Sequence, residues 1–279
     1  MKTEFWPVFW KEMIKFFRFK SLLFTTLVQP ALWMAFFGTA MSSNFDRMNV
    51  LYNIPSGMGQ VGYLTFMGAG VIAMTALFTS LYGGMTLIYD KNFGLMKEMI
   101  ASPMQRSQII LGLGLSGITK GFIQAIIIMV FGTLFLGVDF FSQQNLPGIV
   151  CSVLGILLFV GTFSLGFIFL SSGIALRLET HEGMQGIMTV LSMPLFFVSN
   201  ALYPADAFPA VLKVLSVINP LTYLVNGIRY FAIGNDFYAL GKHYIYTTEI
   251  VSGSYVALLI FTLCTFIFAM DSINNVSIT

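Results

Sequence analysis

The chain has 279 residues, of which 57% are hydrophobic and only 9% charged, and its formal net charge is +2. Soluble domains carry about 25% charged residues, so this chain has too few charges to coat a soluble globule and its apolar surface must face lipid. The small net charge, with no basic block interleaved with aromatics beyond residues 1–20, gives no expectation of a nucleic-acid partner.

The elements follow in chain order. Within residues 1–20, Phe9, Trp10, Met13, Ile14, Phe16 and Phe17 fill one side of a helix, while Lys11, Lys15 and Arg18 recur on the other. That pattern predicts an amphipathic interfacial helix with its basic face toward anionic headgroups, making membrane lipid a partner. A helix needs roughly 20 apolar residues to cross the hydrocarbon layer. Candidate spans are Ser21–Met41, Val61–Tyr89, Ile109–Val138, Ile149–Leu176, Gly186–Leu202 and Tyr255–Met270, the last starting nearer Val251. The first run is longer than a signal-peptide core of about 7–15 residues and is expected to remain in the membrane. The fold class is therefore an all-α membrane protein with six transmembrane helices, read as a single domain over 1–279 without repeats or linkers.

Between spans 5 and 6, residues 203–233 are apolar but divided by Pro204, Pro209 and Pro220 into pieces too short to cross. Irregular backbone at membrane depth survives only where protein or a water-filled cavity satisfies it, so short re-entrant extracellular helices are expected. An even span count puts both termini on one side. Lys2, Lys11, Lys15, Arg18, Lys20, Lys91, Lys97, Arg106 and Arg177 then oppose Arg47, Lys213, Arg229 and Lys242. The positive-inside rule places both termini in the cytoplasm.

Several motifs suggest chemistry and fail on spacing. Gly112 to Gly117 and Gly57 to Gly62 both match GxGxxG, but a dinucleotide site needs that turn between strand and helix. In an apolar span such glycines permit close helix packing. A phosphate-binding loop beginning at Gly112 would need lysine where Ile118 stands, so no Walker A element is found. His181-Glu182 opens like the zinc motif HExxH, but Gln185 replaces the second histidine. Cys151 and Cys264 lie inside apolar runs and read as core or lipid-facing residues. No catalytic residues and no metal site are expected. The chain is read as a transport subunit rather than an enzyme.

Intramembrane charge commonly marks function, and only Lys120 qualifies, with Gln124 one turn on. Lys120 either snorkels toward the interface or lines a substrate path with Gln124. Asp90, Asp139 and Asp271 sit at span ends, so a carrier driven by ions lacks buried acids. Energy must then come from outside the chain.

The loop Tyr89 to Pro103, within residues 90–106, holds a short amphipathic helix ending at a proline. It resembles the cytoplasmic coupling segment of ABC-2-type exporter permeases, closest to the multidrug-resistance subgroup. The run Met193-Pro194 to Tyr203-Pro204, then Pro209, Asn219-Pro220-Leu221-Thr222-Tyr223 and Arg229, resembles the same family's late signature. The resemblance covers essentially the whole chain. It implies a dimer, homo- or heteromeric, in which each permease engages a separate ABC ATP-binding subunit. ATP and Mg would lie on that partner, and this chain would bind no cofactor. It assigns coupling to the ATPase to Phe93, Gly94, Leu95, Met96, Lys97 and Glu98. It assigns an extracellular gate to Pro204, Pro209, Asn219, Pro220, Tyr223 and Arg229. The subgroup often has Arg-Glu before the Phe-Gly, where this chain has Lys91-Asn92. The cargo implied is a drug, lipid or lipid-linked glycan leaving the cytoplasm across the plasma membrane. The competing reading is a stand-alone secondary carrier or channel, which would need buried acids or inverted repeats.

Overall fold

A computed structural model describes residues 5–51, 59–142 and 144–275. Helix α1 (Phe5–Arg18) leads into α2 (Lys20–Leu32), a π-helical stretch Trp33–Gly38 and α3 (Thr39–Leu51). Then come α4 (Tyr63–Asn92), the short α5 (Leu95–Ala101), α6 (Arg106–Phe135), α7 (Leu146–Arg177) and α8 (His181–Phe197). A 3-10 turn at Ala205–Ala207 precedes α9 (Ala210–Ile218) and α10 (Pro220–Ala232). Strands β1 (Asp236–Ala239) and β2 (Lys242–Ile245) follow, and then α11 (Thr248–Asn274).

Helix α4 is apolar on every face, which in a bundle means enclosure. The central window of α4 is 94% buried, against 33% for α11 and 39% for α6. Small residues let its neighbours approach. A Cβ at Gly84 would come within 2.6 Å of the Ser171 carbonyl oxygen on α7, so α4 and α7 touch backbone to backbone there. The glycines of the first GxGxxG run do the same work on α6. Gly112 faces Val8 of α1, while Gly114 and Gly117 face Phe169 and Ile168 of α7. They are packing surfaces. In the second run, Gly57 and Met58 lie outside the described residues.

The span expectations need correction in detail. Among the described residues, four helices (α4, α6, α7 and α11) are long and apolar enough to cross by themselves. The expected first span is one continuous helical run whose pitch widens at Trp33–Gly38, just after Pro30 withdraws a donor from the ladder. It passes from Lys20, at the end of the bundle that carries α1 and α5, to Phe45, which stacks on Tyr63 at 4.6 Å. The expected fifth span is α8, with 17 residues and Pro194 inside, or about 25 Å at 1.5 Å per residue. Helix α11 begins at Thr248, seven residues before the predicted Tyr255, because Thr247 caps it by accepting the Ile250 amide at 3.3 Å.

Helices α9 and α10 form one apolar pair bent by 75°. The purely helical expectation missed the hairpin. Its two strands pair antiparallel, with Ala239 opposite Lys242. Leu240 and Gly241 between them both take positive φ, 56° and 72°, as a tight two-residue turn requires.

Candidate functional site

The predicted functional residues fall into two groups at opposite ends of α4. The first gathers around its last turn. Gly94 has φ +80°, the left-handed conformation that ends a helix and that glycine adopts without steric cost. Its place there lets the chain leave α4 and start α5 at once. On α5 Met96 is buried at 2% exposure and anchors the turn, whereas Phe93 is 77% exposed. Leu95, Lys97 and Glu98 also point outward. Gly94→Val would meet no neighbour, since nothing lies within 4 Å of an added Cβ, but would carry the left-handed penalty of roughly 1–2 kcal/mol. A correspondingly lower melting temperature is expected. Lys91 donates to the carbonyls of Leu176 and Leu178, at 3.3 and 2.9 Å, and so ties this turn to the end of α7.

Beneath the turn lies an ionic chain absent from the sequence expectations. Glu12 and Asp90 are each only 1% exposed, which corrects the expectation that the chain lacks buried acids: Asp90 stands at a span end but is covered there by α1. Asp90 accepts from Lys11 at 2.5 Å and, on its other oxygen, from Lys15. Glu12 Oε2 accepts from Lys120 and from the Thr86 hydroxyl, both at 3.1 Å. Burial alone raises the Glu12 carboxyl, but the ammoniums of Lys120, Lys11 and Lys15 together outweigh it and hold the group below its ordinary 4.5. Lys120 is 5% exposed, its ammonium directed onto α1. One turn further along α6, Gln124 pairs with Thr79 of α4 and donates to Thr26 of α2 at 2.7 Å.

This arrangement corrects the reading of α1. Lys11 and Lys15 turn inward to Asp90 instead of outward to headgroups, and the outward side carries Trp6, Trp10, Ile14 and Phe17. The helix is amphipathic, but two of the three cations of its basic face are taken by protein, and Arg18 alone stays exposed. The sequence signal was available: Lys120 sits in an apolar span and needs a counter-charge, and Glu12 is the lone acid in the basic helix.

Lys120, Gln124, Asp90, Phe93 and Leu95 all line one cleft of about 720 Å³, which His181 and Gln185 of α8 also line. His181 accepts from or donates to the Tyr89 hydroxyl at 3.0 Å. The structure therefore brings two of the coupling residues, Phe93 and Leu95, and both path residues, Lys120 and Gln124, to one space, whereas Gly94, Met96, Lys97 and Glu98 do not line it.

The second group is at the other end. Asn219 sits at the bend of the α9–α10 pair. Its Oδ1 accepts the Leu221 amide at 3.0 Å and its Nδ2 donates to the Leu195 carbonyl at 2.6 Å. Pro220 occupies the first turn of α10, where its missing N–H costs nothing. Tyr223 closes the bend by donating to the Val217 carbonyl at 2.5 Å. Pro204 and Pro209 flank the 3-10 turn. Arg229 is fully buried, donates to the carbonyls of Asn200 and Ala201 at 2.7 and 3.2 Å, and lies 3.6 Å from the ring centre of Phe66. It staples α10 to the end of α8 and to α4.

Long apolar helices around a cleft and an ionic chain define a multi-pass membrane protein. Residues 3–233 match the ABC-2 type transporter family, and the chain belongs to it. A protein of Cyanophora paradoxa named transport permease ycf38 is 32% identical over 209 residues, covering 75% of this chain and 67% of that protein. The inner membrane transport permease YadH of Escherichia coli strain K12 is 23% identical, covering 78% and 80%. The daunorubicin resistance ABC transporter permease protein DrrB1 of Streptomyces coeruleorubidus is 22% identical, covering 79% and 71%.

Proposed function

We propose that the chain is the membrane permease of an ATP-driven exporter that carries a hydrophobic or amphipathic cargo out of the cytoplasm. ATP and Mg are bound and hydrolysed on a separate ABC ATP-binding subunit, and a second permease, identical or related, completes the complex. The plasma membrane holds it with both termini in the cytoplasm. Six segments cross: the helical run from Lys20 to Leu51, then α4, α6, α7, α8 and α11. The α9–α10 pair dips in from outside as the gate.

The observation that carries this reading is the exposure of Phe93 at the end of the most enclosed helix. A large apolar side chain held out on a turn, beside Lys97 and Glu98, suits insertion into a partner's groove. Because α4 runs from that turn along the cleft, where its Thr79, Tyr82 and Thr86 are part of the lining, a push on that turn reaches the cleft directly. Lys120 and Gln124 line the cargo's path.

Reconstitution into vesicles with and without the ATP-binding subunit tests the reading. Transport of a fluorescent amphiphile is expected only with both subunits and ATP. Transport that persists with no nucleotide-binding partner would overturn the proposal in favour of a stand-alone carrier.

A further inference from the structure

We infer that the cleft beside α1 recognises amphiphiles with an anionic head, in preference to cationic ones; the inference rests on the exporter reading for its role but not for its binding chemistry. Charge balance and access decide the preference. Three ammoniums, Lys11, Lys15 and Lys120, meet two carboxylates, Glu12 and Asp90, in this network. One positive charge is left over. More important is which groups remain available. Both oxygens of Asp90, which also lines the cleft, are taken by lysines. Glu12 is not in the lining; its Oε2 is held by Lys120 and Thr86, and its Oε1 makes no hydrogen bond but lies 3.6 Å from both Lys11 and Lys15. Lys15 and Lys120 themselves line the cleft, and an ammonium has three donors to spend.

A cationic head entering here would have to displace a lysine from a buried carboxylate, a costly exchange in a low-dielectric site. An anionic head would instead accept from lysines that keep their present partners. The rest of the lining suits a chain of methylenes. Phe16, Tyr82, Met85 and Tyr89 form apolar wall, and the volume falls in the range of small-molecule sites, about 300–1,000 Å³. The cleft thus offers a greasy slot with a cationic end.

The test measures equilibrium binding to the full chain in phosphatidylcholine nanodiscs, corrected with empty discs. Dodecyl phosphate is expected to bind at least about tenfold more tightly than dodecyltrimethylammonium, the value of one charge-assisted hydrogen bond. Lys15→Gln leaves Lys11 on Asp90 and is expected to erase most of that preference. Because Lys120→Gln alone would strand Glu12, the paired variant Glu12→Gln with Lys120→Gln is used. It keeps the net charge but removes the ammonium, and the same loss is expected. Equal or tighter binding of the cation, or unchanged preference in both variants, would overturn the inference. So would competition by inorganic phosphate at the same strength as dodecyl phosphate, since the tail would then contribute nothing. Loss of ATP-driven transport with this binding preference intact would sink the exporter reading and leave the site standing.

Discussion

Glu12→Ala is expected to destabilise the protein by roughly 3–5 kcal/mol, the range for breaking a buried ion pair from one side. The substitution removes little volume and no long-range packing. Its effect comes from Lys120, which stays 5% exposed inside α6 with its partner gone. The paired replacement of Glu12 and Lys120 by leucine and methionine should recover most of the loss, because desolvation offsets much of the pair's attraction. Thermal melting of the detergent-solubilised variants measures both. A single variant that melts with the wild type would show the pair to be hydrated, against the geometry described.

The same carboxyl fixes a pH dependence. Glu12 is held below 4.5 in the folded protein, so the unfolded chain takes up its proton first as pH falls. The stability it contributes is complete above the ordinary glutamate range. It is lost as pH drops below that range and through the folded value. The gap between wild type and Glu12→Ala should therefore narrow in acid and stay constant toward neutrality.

Phe93→Ala should have the opposite profile, with a small effect on folding and a large one on coupling. At 77% exposure the ring contributes little to the fold, and melting within about 0.5 kcal/mol of wild type is expected. If Phe93 anchors the ATP-binding subunit, its truncation removes an aromatic hot spot. About 2 kcal/mol, roughly thirtyfold in affinity, is the expected loss. Exchanging Lys97→Glu with Glu98→Lys keeps composition and net charge but reverses the local pattern. Nucleotide hydrolysis should then continue without transport. Titration of the ATP-binding subunit against the variants, with hydrolysis and transport measured together, separates the outcomes. Unchanged coupling in both would remove this turn from the mechanism.

The physical reason the fold was largely legible is that lipid imposes one strong rule. Long apolar runs between turn residues must be helices, and α4, α6, α7 and α11 obeyed it. What escaped was everything decided by partners distant in the chain. Glu12 is an unremarkable acid until α1 packs on α6, 108 residues away. The amphipathic pattern of α1 correctly separated its faces but assigned the polar one to headgroups, since no local signal reveals that Asp90 waits at the end of α4. The hairpin at residues 236–245 was hidden by brevity. Its four-residue strands carry little alternation, and the turn rests on Leu240 at positive φ, a residue that does not advertise one. At the other end Pro204, Pro209, Asn219 and Pro220 announced irregular backbone, and the bend at Asn219 is where they pointed. The buried staple made by Arg229 needed the end of α8 to be placed first.

The enclosure of α4 has a mechanical corollary. A rod enclosed over most of its length has little slack in which to slide, and close-packed interiors transmit displacement instead of absorbing it. Where Gly84 brings α4 against the α7 backbone, even a small axial shift would drive main chain into main chain. A push delivered at Asn92 would therefore be shared, with α4 and α7 tilting as one stiff body and the less enclosed α11 and α6 following at the periphery.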